Sequence, residues 1–145
     1  MTKREKFILD CAQYIGLPYI WGGDNPKKGL DCSGYVQVIL AKYGLDPSDD
    51  QTADELMKYF LSHGKRVAPS DIRLGDLLFY GSQSRATHIA IAIDQNMMFE
   101  AGGGGSSCTT PEAARKLGAQ IRIASIYRRS DLVCAIRPNG LNLEA

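Results

Sequence analysis

The stretch GLDCSGYVQVIL, residues 29 to 40, places a cysteine directly before an apolar run. Asp31 occupies a position typical of a helix N-cap, and the apolar residues after it cover nearly every face of a helix that ends at Gly44. Such a helix is expected to be buried. Cys32 then lies in the first turn, where unpaired backbone N–H groups and the helix dipole favour a thiolate. Cys32 is therefore either a nucleophile or a small apolar residue that enters the core.

A thiolate nucleophile needs a base, and the sequence contains two histidines. His63 follows the third helical segment, where capping of the helix C-terminus is the expected role. His88 begins the strand HIAIAI, in which alternation places it on one face with Ala90 and Ala92. If the helix after Cys32 packs on that face, the two alanines allow a close approach. A core histidine bound to a backbone carbonyl is an equally good interpretation of the spacing alone.

Glu100 is the charged residue of the next strand, MMFEA. An unpaired buried carboxylate is costly, so Glu100 must reach solvent or have a cationic or hydrogen-bonding partner. The imidazolium of His88 is a suitable partner, and the carboxylate would orient the base by accepting its second N–H.

The remaining patterns predict an α+β fold in which helices come first and mostly antiparallel strands follow. Helices are expected over residues 2–16, after the capping box of Thr52 and Glu55, and after Thr110 and Pro111. Strands are expected at residues 76–80, 88–93, 97–101, 121–127 and 131–138, with 94–96 as a hairpin turn. The glycine run 102–105 is interpreted as a connector, with a lip over a groove as the alternative. We expect residues 1–145 to form a single domain.

Composition narrows the classes of partner. A formal net charge of +1 gives no field that would draw the protein to phosphate backbones or anionic lipid, so neither nucleic acid nor a membrane is expected as a partner. The four cysteines show no CxxC spacing and the histidines no HxxxH spacing, so no metal site is expected. Cys11, Cys108 and Cys134 are interpreted as buried thiols, with exposure of Cys108 as an alternative.

Taken together, these residues resemble the NlpC-type (NlpC/p60) cell-wall cysteine peptidases, which are papain-like hydrolases of bacteria and their phages. Four segments carry the resemblance in the family's order and spacing: PYIWGG (18–23), LDCSGYVQVIL (30–40), RLGDLLFY (73–80) and THIAIAID (87–94). The resemblance implies a papain-like fold in which N-terminal helices pack on a central antiparallel sheet. It also implies that Cys32 is the nucleophile and His88 the general base.

The resemblance extends to the residues around the nucleophile. Tyr19 matches the family tyrosine whose hydroxyl helps to line the oxyanion site. Asp31 and Ser33 match positions that line the substrate groove, although Asp31 is equally a plain N-cap. Trp21 belongs to the same candidate binding group, but shaping of its loop is the first expectation for it. Glu100 departs from the family, whose third catalytic residue is usually His and sometimes Asn or Gln.

The resemblance implies hydrolysis of peptidoglycan stem peptides, most often between γ-D-glutamyl and a diamino acid, through an acyl-enzyme and without a cofactor. Two alternatives stay open. One is a non-catalytic peptidoglycan-binding or virion structural module, for which Glu100 would be a sign of decay. The other is an amidase or acyltransferase on the same scaffold.

The N-terminal segment MTKREKFILDCAQYIG lacks the apolar core and cleavage site of a signal peptide. Because peptidoglycan lies outside the cytosol, we expect delivery to the wall by a phage virion or lysis system, unless an export signal has been removed. Other virion proteins are possible partners under that expectation.

Overall fold

Four helices are present in the computed structural model, which describes residues 1–143. They are α1 (Lys3–Ala12), α2 (Cys32–Lys42), α3 (Ala53–Ser62) and α4 (Pro111–Leu117). Each begins where the sequence indicates, because Thr2, Asp31, Thr52 and Thr110 accept a hydrogen bond from a backbone N–H of the first turn. None of the helices within these residues has the length and apolar character required to cross a bilayer.

The part of the chain that the structure describes also contains eight strands: β1 (Asp24–Asn25), β2 (Gly29–Leu30), β3 (Gly64–Val67), β4 (Leu77–Gly81), β5 (Ala86–Ala92), β6 (Met97–Gly102), β7 (Gln120–Ser125) and β8 (Leu132–Pro138). Six of them form one sheet in the order β3-β8-β4-β5-β6-β7, and every neighbouring pair is antiparallel. This confirms the α+β class. The sequence did not predict β1, β2 or the edge strand β3, whose residues GKRV have no apolar alternation.

Helix α2 is buried, as its apolar pattern predicts. Tyr35, Val36 and Ile39 are fully buried against the sheet. The Tyr35 hydroxyl donates a hydrogen bond of 2.8 Å to the carbonyl oxygen of Cys11, which ties α2 to α1. The nucleophile candidate is thus carried by the helix that is most firmly packed in the core.

The helix packs on the opposite face of β5 from the one expected. Ile89 and Ile91 belong to the same apolar cluster as the buried residues of α2, whereas Ala90 and Ala92 belong to a second cluster beyond the sheet. The expectation that α2 crosses the alanine face is therefore wrong. The physical reason is that the apolar surface of α2 gains more by covering isoleucine than alanine side chains.

Candidate active site

A pocket of about 580 Å³ lies where the start of α2 meets the beginning of β5. Its walls include every residue of the expected site except Glu100, namely Tyr19, Trp21, Asp31, Cys32, Ser33 and His88. Glu100 is fully buried and contacts His88 from outside the pocket. Strands β5 and β6 pair only at Ile91–Phe99 and Ala92–Met98, so they diverge before they reach the pocket.

Asp31 holds the first turn of α2 in place. Its Oδ1 atom accepts hydrogen bonds from the Gly34 N–H at 2.7 Å and from the Ser33 hydroxyl at 3.3 Å. Asp31 is therefore the helix N-cap, and it also lines the pocket beside Cys32. The two interpretations of Asp31 that the sequence leaves open are compatible.

Cys32 is a partly exposed thiol at the first position of α2. Burial raises its pKa to about 11 and the nearby charge of Asp31 adds to that rise, although backbone N–H groups of Ile89, Ser33 and Cys32 itself act in the other direction. The helix terminus does favour the thiolate, but desolvation outweighs it. In neutral solution Cys32 is therefore a thiol that requires a base.

His88 lies on β5, and its Nε2 atom is 2.8 Å from Oε1 of Glu100. Burial lowers the pKa of His88, whereas the hydrogen bond and the charge of Glu100 raise it. The charges of Arg129 and Arg128 lower it, and the resulting pKa lies below the ordinary value for histidine. Because an ionised carboxylate only accepts hydrogen bonds, Nε2 carries the ring proton. Nδ1 of the neutral ring is then unprotonated.

Glu100 has the partner that the cost of burying a carboxylate requires. Besides His88, Arg122 donates from Nε at 3.1 Å, and Arg128 donates from Nε at 2.6 Å and from Nη2 at 2.7 Å. Burial alone would raise the pKa of Glu100, but the hydrogen bonds from His88 and Arg128 lower it to about 2. Sequence reasoning missed both arginines. Arg122 lies opposite Glu100 in the pairing of β6 with β7, so a predicted strand register would have identified it. No comparable signal identifies Arg128.

Tyr19 and Trp21 differ in exposure. The Tyr19 side chain is buried, and its pKa is raised by burial and by the neighbouring Cys32. Trp21 is 54% exposed and is one of the residues that line the pocket.

The glycine run 102–105 forms one wall of the pocket, which makes it more than the plain connector expected. A Cβ atom on Gly104 would lie 2.5 Å from the Tyr19 ring. Cys108, which follows this wall, is fully buried and donates to the Tyr19 carbonyl oxygen at 3.3 Å. Burial of Cys11, Cys108 and Cys134 confirms their interpretation as buried thiols, and exposure of Cys108 is wrong.

Groups outside the pocket have other roles. His63 is the C-cap residue of α3, as expected, and its Nδ1 atom lies 2.8 Å from the Tyr59 carbonyl oxygen. A more open cleft of about 630 Å³ lies between Arg73 and Asn96 but has no Cys, His, Ser or Thr in its lining. Within residues 1–143, no three His, Cys, Asp or Glu side chains are grouped so that they could hold a metal ion.

Comparison with known proteins finds a matching family model and related sequences. The model of the NlpC/P60 family matches residues 16–122. The chain is 36% identical over 106 residues to the bifunctional muramidase/DL-endopeptidase CwlT of Bacillus subtilis, a match that covers 70% of this chain and 30% of CwlT. It is 29% identical over 136 residues to the γ-D-glutamyl-L-lysine dipeptidyl-peptidase of Bacillus subtilis, covering 92% of this chain and 40% of that relative. The chain thus spans less than half the length of these two relatives.

The fold has matches among solved structures. The NlpC/p60 domain of the peptidoglycan hydrolase SagA superposes with a TM-score of 0.68 at 25% sequence identity. This superposition covers 92% of the present chain and 97% of the SagA domain. The sheet and the helices packed on it are therefore those of a known fold.

Proposed function

Because the chain belongs to the NlpC/P60 family, we propose that it is a cysteine peptidase that hydrolyses amide bonds in peptidoglycan stem peptides. The observation that carries the proposal is that Cys32 and His88 line one pocket together with Tyr19. The name of the γ-D-glutamyl-L-lysine dipeptidyl-peptidase supports a bond next to D-glutamate as the target, and the name of CwlT supports DL-endopeptidase activity. We propose cleavage between γ-D-glutamyl and a diamino acid.

In the proposed mechanism, the Cys32 proton passes to His88 as the sulfur attacks the amide carbonyl carbon. Since Nε2 is engaged with Glu100, Nδ1 is the nitrogen that accepts this proton. Because burial keeps the thiol protonated and the imidazole neutral, proton transfer accompanies attack instead of preceding it.

The tetrahedral intermediate carries a negative charge on the former carbonyl oxygen. The backbone N–H of Cys32 and the hydroxyl of Tyr19 are the donors proposed for this oxyanion. His88 then protonates the leaving amine as the C–N bond breaks, which leaves an acyl-enzyme. His88 next takes a proton from water, and the resulting attack releases the acid and restores the Cys32 thiol.

The remaining pocket residues have proposed roles in binding. Asp31 carries a partly buried carboxylate and Ser33 a hydroxyl beside the nucleophile, and both suit polar groups of a stem peptide. The exposed ring of Trp21 offers an apolar surface at the rim of the pocket. Neither a metal nor a cofactor takes part in the proposed steps.

The test is mass spectrometry of purified peptidoglycan after digestion by the wild-type protein and by Cys32→Ala. Fragments that end at D-glutamate are expected with the wild type and not with the variant. Cys134→Ala is the matched control, because this buried thiol lies outside the pocket, and it should retain the fragments. Equal release by Cys32→Ala would refute the proposal. Absence of fragments from several wall types would instead favour a binding module or an enzyme for small amides.

A further inference from the structure

The carboxylate of Glu100 has two donors on each of its oxygen atoms. Oε1 accepts from His88 and from Nη2 of Arg128, whereas Oε2 accepts from Nε of Arg128 and Nε of Arg122. Arg128 therefore binds the carboxylate with two parallel hydrogen bonds, the arrangement in which a guanidinium binds most strongly. Glu100, Arg122 and Arg128 together carry one negative and two positive charges.

We propose that Arg128, assisted by Arg122, is a positioning residue that acts on His88 through Glu100. The arginines hold Glu100 ionised, so that it orients the imidazole, and they cancel its charge, so that it does not keep the imidazole protonated. This inference rests on the proposed function for the role of His88 as a base.

The cancellation matters because an imidazolium cannot accept the proton of Cys32. A lone carboxylate at 2.8 Å would favour the charged ring, whereas a neutral acceptor would orient the ring without that effect. Paired with two guanidinium groups, Glu100 orients the ring as an amide oxygen would. The structure thus reconciles a carboxylate at this position with a neutral base, and burial of the ring acts in the same direction.

The other charged and titratable groups on this side of His88 are Tyr80, Arg129 and Asp131. Tyr80 on β4 lies with its ring 5.7 Å from the imidazole, and burial raises the pKa of its hydroxyl, so it is neutral near pH 7. Arg129 donates to both oxygens of Asp131, at 2.9 Å and 2.6 Å, which compensates part of its charge; the remainder lowers the pKa of His88, as the charge of Arg128 does.

The elements on the pocket side bring few further charges to His88. Asp54 of α3 binds the Ala86 N–H at the start of β5 and pairs with Lys58. Asp31 at the N-cap of α2, Asp50 and the exposed Arg85 line the pocket, and Cys32 and Tyr19 are neutral thiol and phenol groups. The cluster around Glu100 is therefore the hydrogen-bonded contact that acts on the protonation of His88, in addition to burial of the ring and the charge of Arg129.

The test is a titration of the His88 ring by NMR on the full chain labelled at histidine, with His63→Gln used to assign the two signals. Arg128→Met should raise the pKa of His88 by about one unit, since it leaves Glu100 less compensated. Glu100→Gln should lower it by a similar amount. Arg128→Lys and the double variant Glu100→Gln/Arg128→Met should stay near the wild type, because each preserves the net charge of the cluster.

Arg137→Met is the matched control. Arg137 binds the buried Asp76 through Nε at 2.9 Å and Nη2 at 3.0 Å, in the same manner but far from His88. Its loss should leave the His88 titration unchanged. If Arg128→Met does not fold, Arg122→Met provides the same measurement with a smaller expected rise. An unchanged or lowered pKa of His88 in the folded arginine variant would overturn the inference.

The titration does not depend on turnover, so it separates this inference from the proposed function. If wall fragments are released, the acidic limb of the pH profile of kcat/KM should move to higher pH in Arg128→Met, by the same amount as the pKa of His88 measured by NMR. Titration shifts in the absence of any hydrolysis would refute the proposed function and leave the charge balance of the cluster supported. Hydrolysis without the shifts would refute the inference alone.

Discussion

A Cβ atom on Gly34 would lie 2.3 Å from the carbonyl oxygen of Gly23 and 2.9 Å from Oδ1 of Asp31. The same Gly23 carbonyl accepts the N–H of Asp31 at 3.1 Å. The turn of WGG is therefore closed over the first turn of α2 without room for a side chain. The close contact explains the glycine at position 34.

Replacement of Gly34 by alanine is expected to destabilise the protein by about 1–3 kcal/mol, because the added methyl group must displace backbone atoms. The higher helix propensity of alanine would stabilise by only about 1 kcal/mol, so the clash should prevail. Urea denaturation measures the difference. Gly105→Ala, whose Cβ would have no neighbour within 4 Å, is the control and should be close to neutral.

Alkylation by iodoacetamide should modify one cysteine of the native protein. Cys11 and Cys108 are 0% exposed and Cys134 is 8% exposed, whereas Cys32 faces the pocket. Intact-mass analysis is expected to show one adduct for the wild type and for Cys134→Ala, and none for Cys32→Ala.

The pH dependence of that alkylation follows from the pKa of Cys32, which burial raises to about 11. The thiolate fraction grows about tenfold for each pH unit below the pKa, so the rate should still be rising at pH 9. A rate that levels off near pH 6 would contradict this and would indicate a standing thiolate–imidazolium pair in the free protein.

Gln37 anchors the loop that reaches the pocket from the other side of α2. Its Nε2 atom donates to Asp46 Oδ1 at 2.9 Å and to the Asp49 carbonyl at 2.8 Å, and its Oε1 atom accepts the Gln51 N–H at 2.9 Å. Gln37→Leu should lower the free energy of unfolding by about 1–3 kcal/mol, because the polar groups of the loop lose their hydrogen-bond partners. Calorimetry should show a lowered Tm. Gln13→Leu, which loses only an exposed hydrogen bond, should be unaffected.

Acid should weaken the protein partly through Glu100. Its pKa in the folded state, about 2, lies below the ordinary 4.5, so the stabilisation is complete above pH 4.5 and is lost as the pH falls toward 2. His88 acts with the same sign, since a pKa lowered by burial means that protonation favours unfolding. When the pH is lowered from 7 to 3, the free energy of unfolding of the wild type should fall by up to about 2 kcal/mol more than that of Glu100→Gln.

Urea denaturation at the two pH values makes the comparison. Glu112→Gln is the control, because the Glu112 side chain is 69% exposed and should not alter the acid dependence. If Glu100→Gln lost as much stability as the wild type on acidification, the low pKa of Glu100 would be excluded.

Local sequence signals predicted those parts of the site that depend on caps, alternation and the cost of burying charge. The N-cap at Asp31 located Cys32 at the start of a helix, and alternation with the burial argument paired His88 with Glu100. The face of β5 that α2 covers was predicted wrongly, because alternation defines two faces without saying which one a helix occupies. Arg128 has no local signal, since it reaches Glu100 from a turn 28 residues along the chain.

The glycine wall of the pocket determines where this chain can diverge. A side chain at Gly104 would strike the Tyr19 ring, so variation there would disturb a residue proposed to bind the oxyanion. The adjacent Gly105 has open space around it and can acquire side chains without such a conflict. A substitution at position 105 can therefore adapt the pocket to a different peptidoglycan, whereas position 104 must stay glycine. The two neighbouring glycines thus differ in the substitutions that they tolerate.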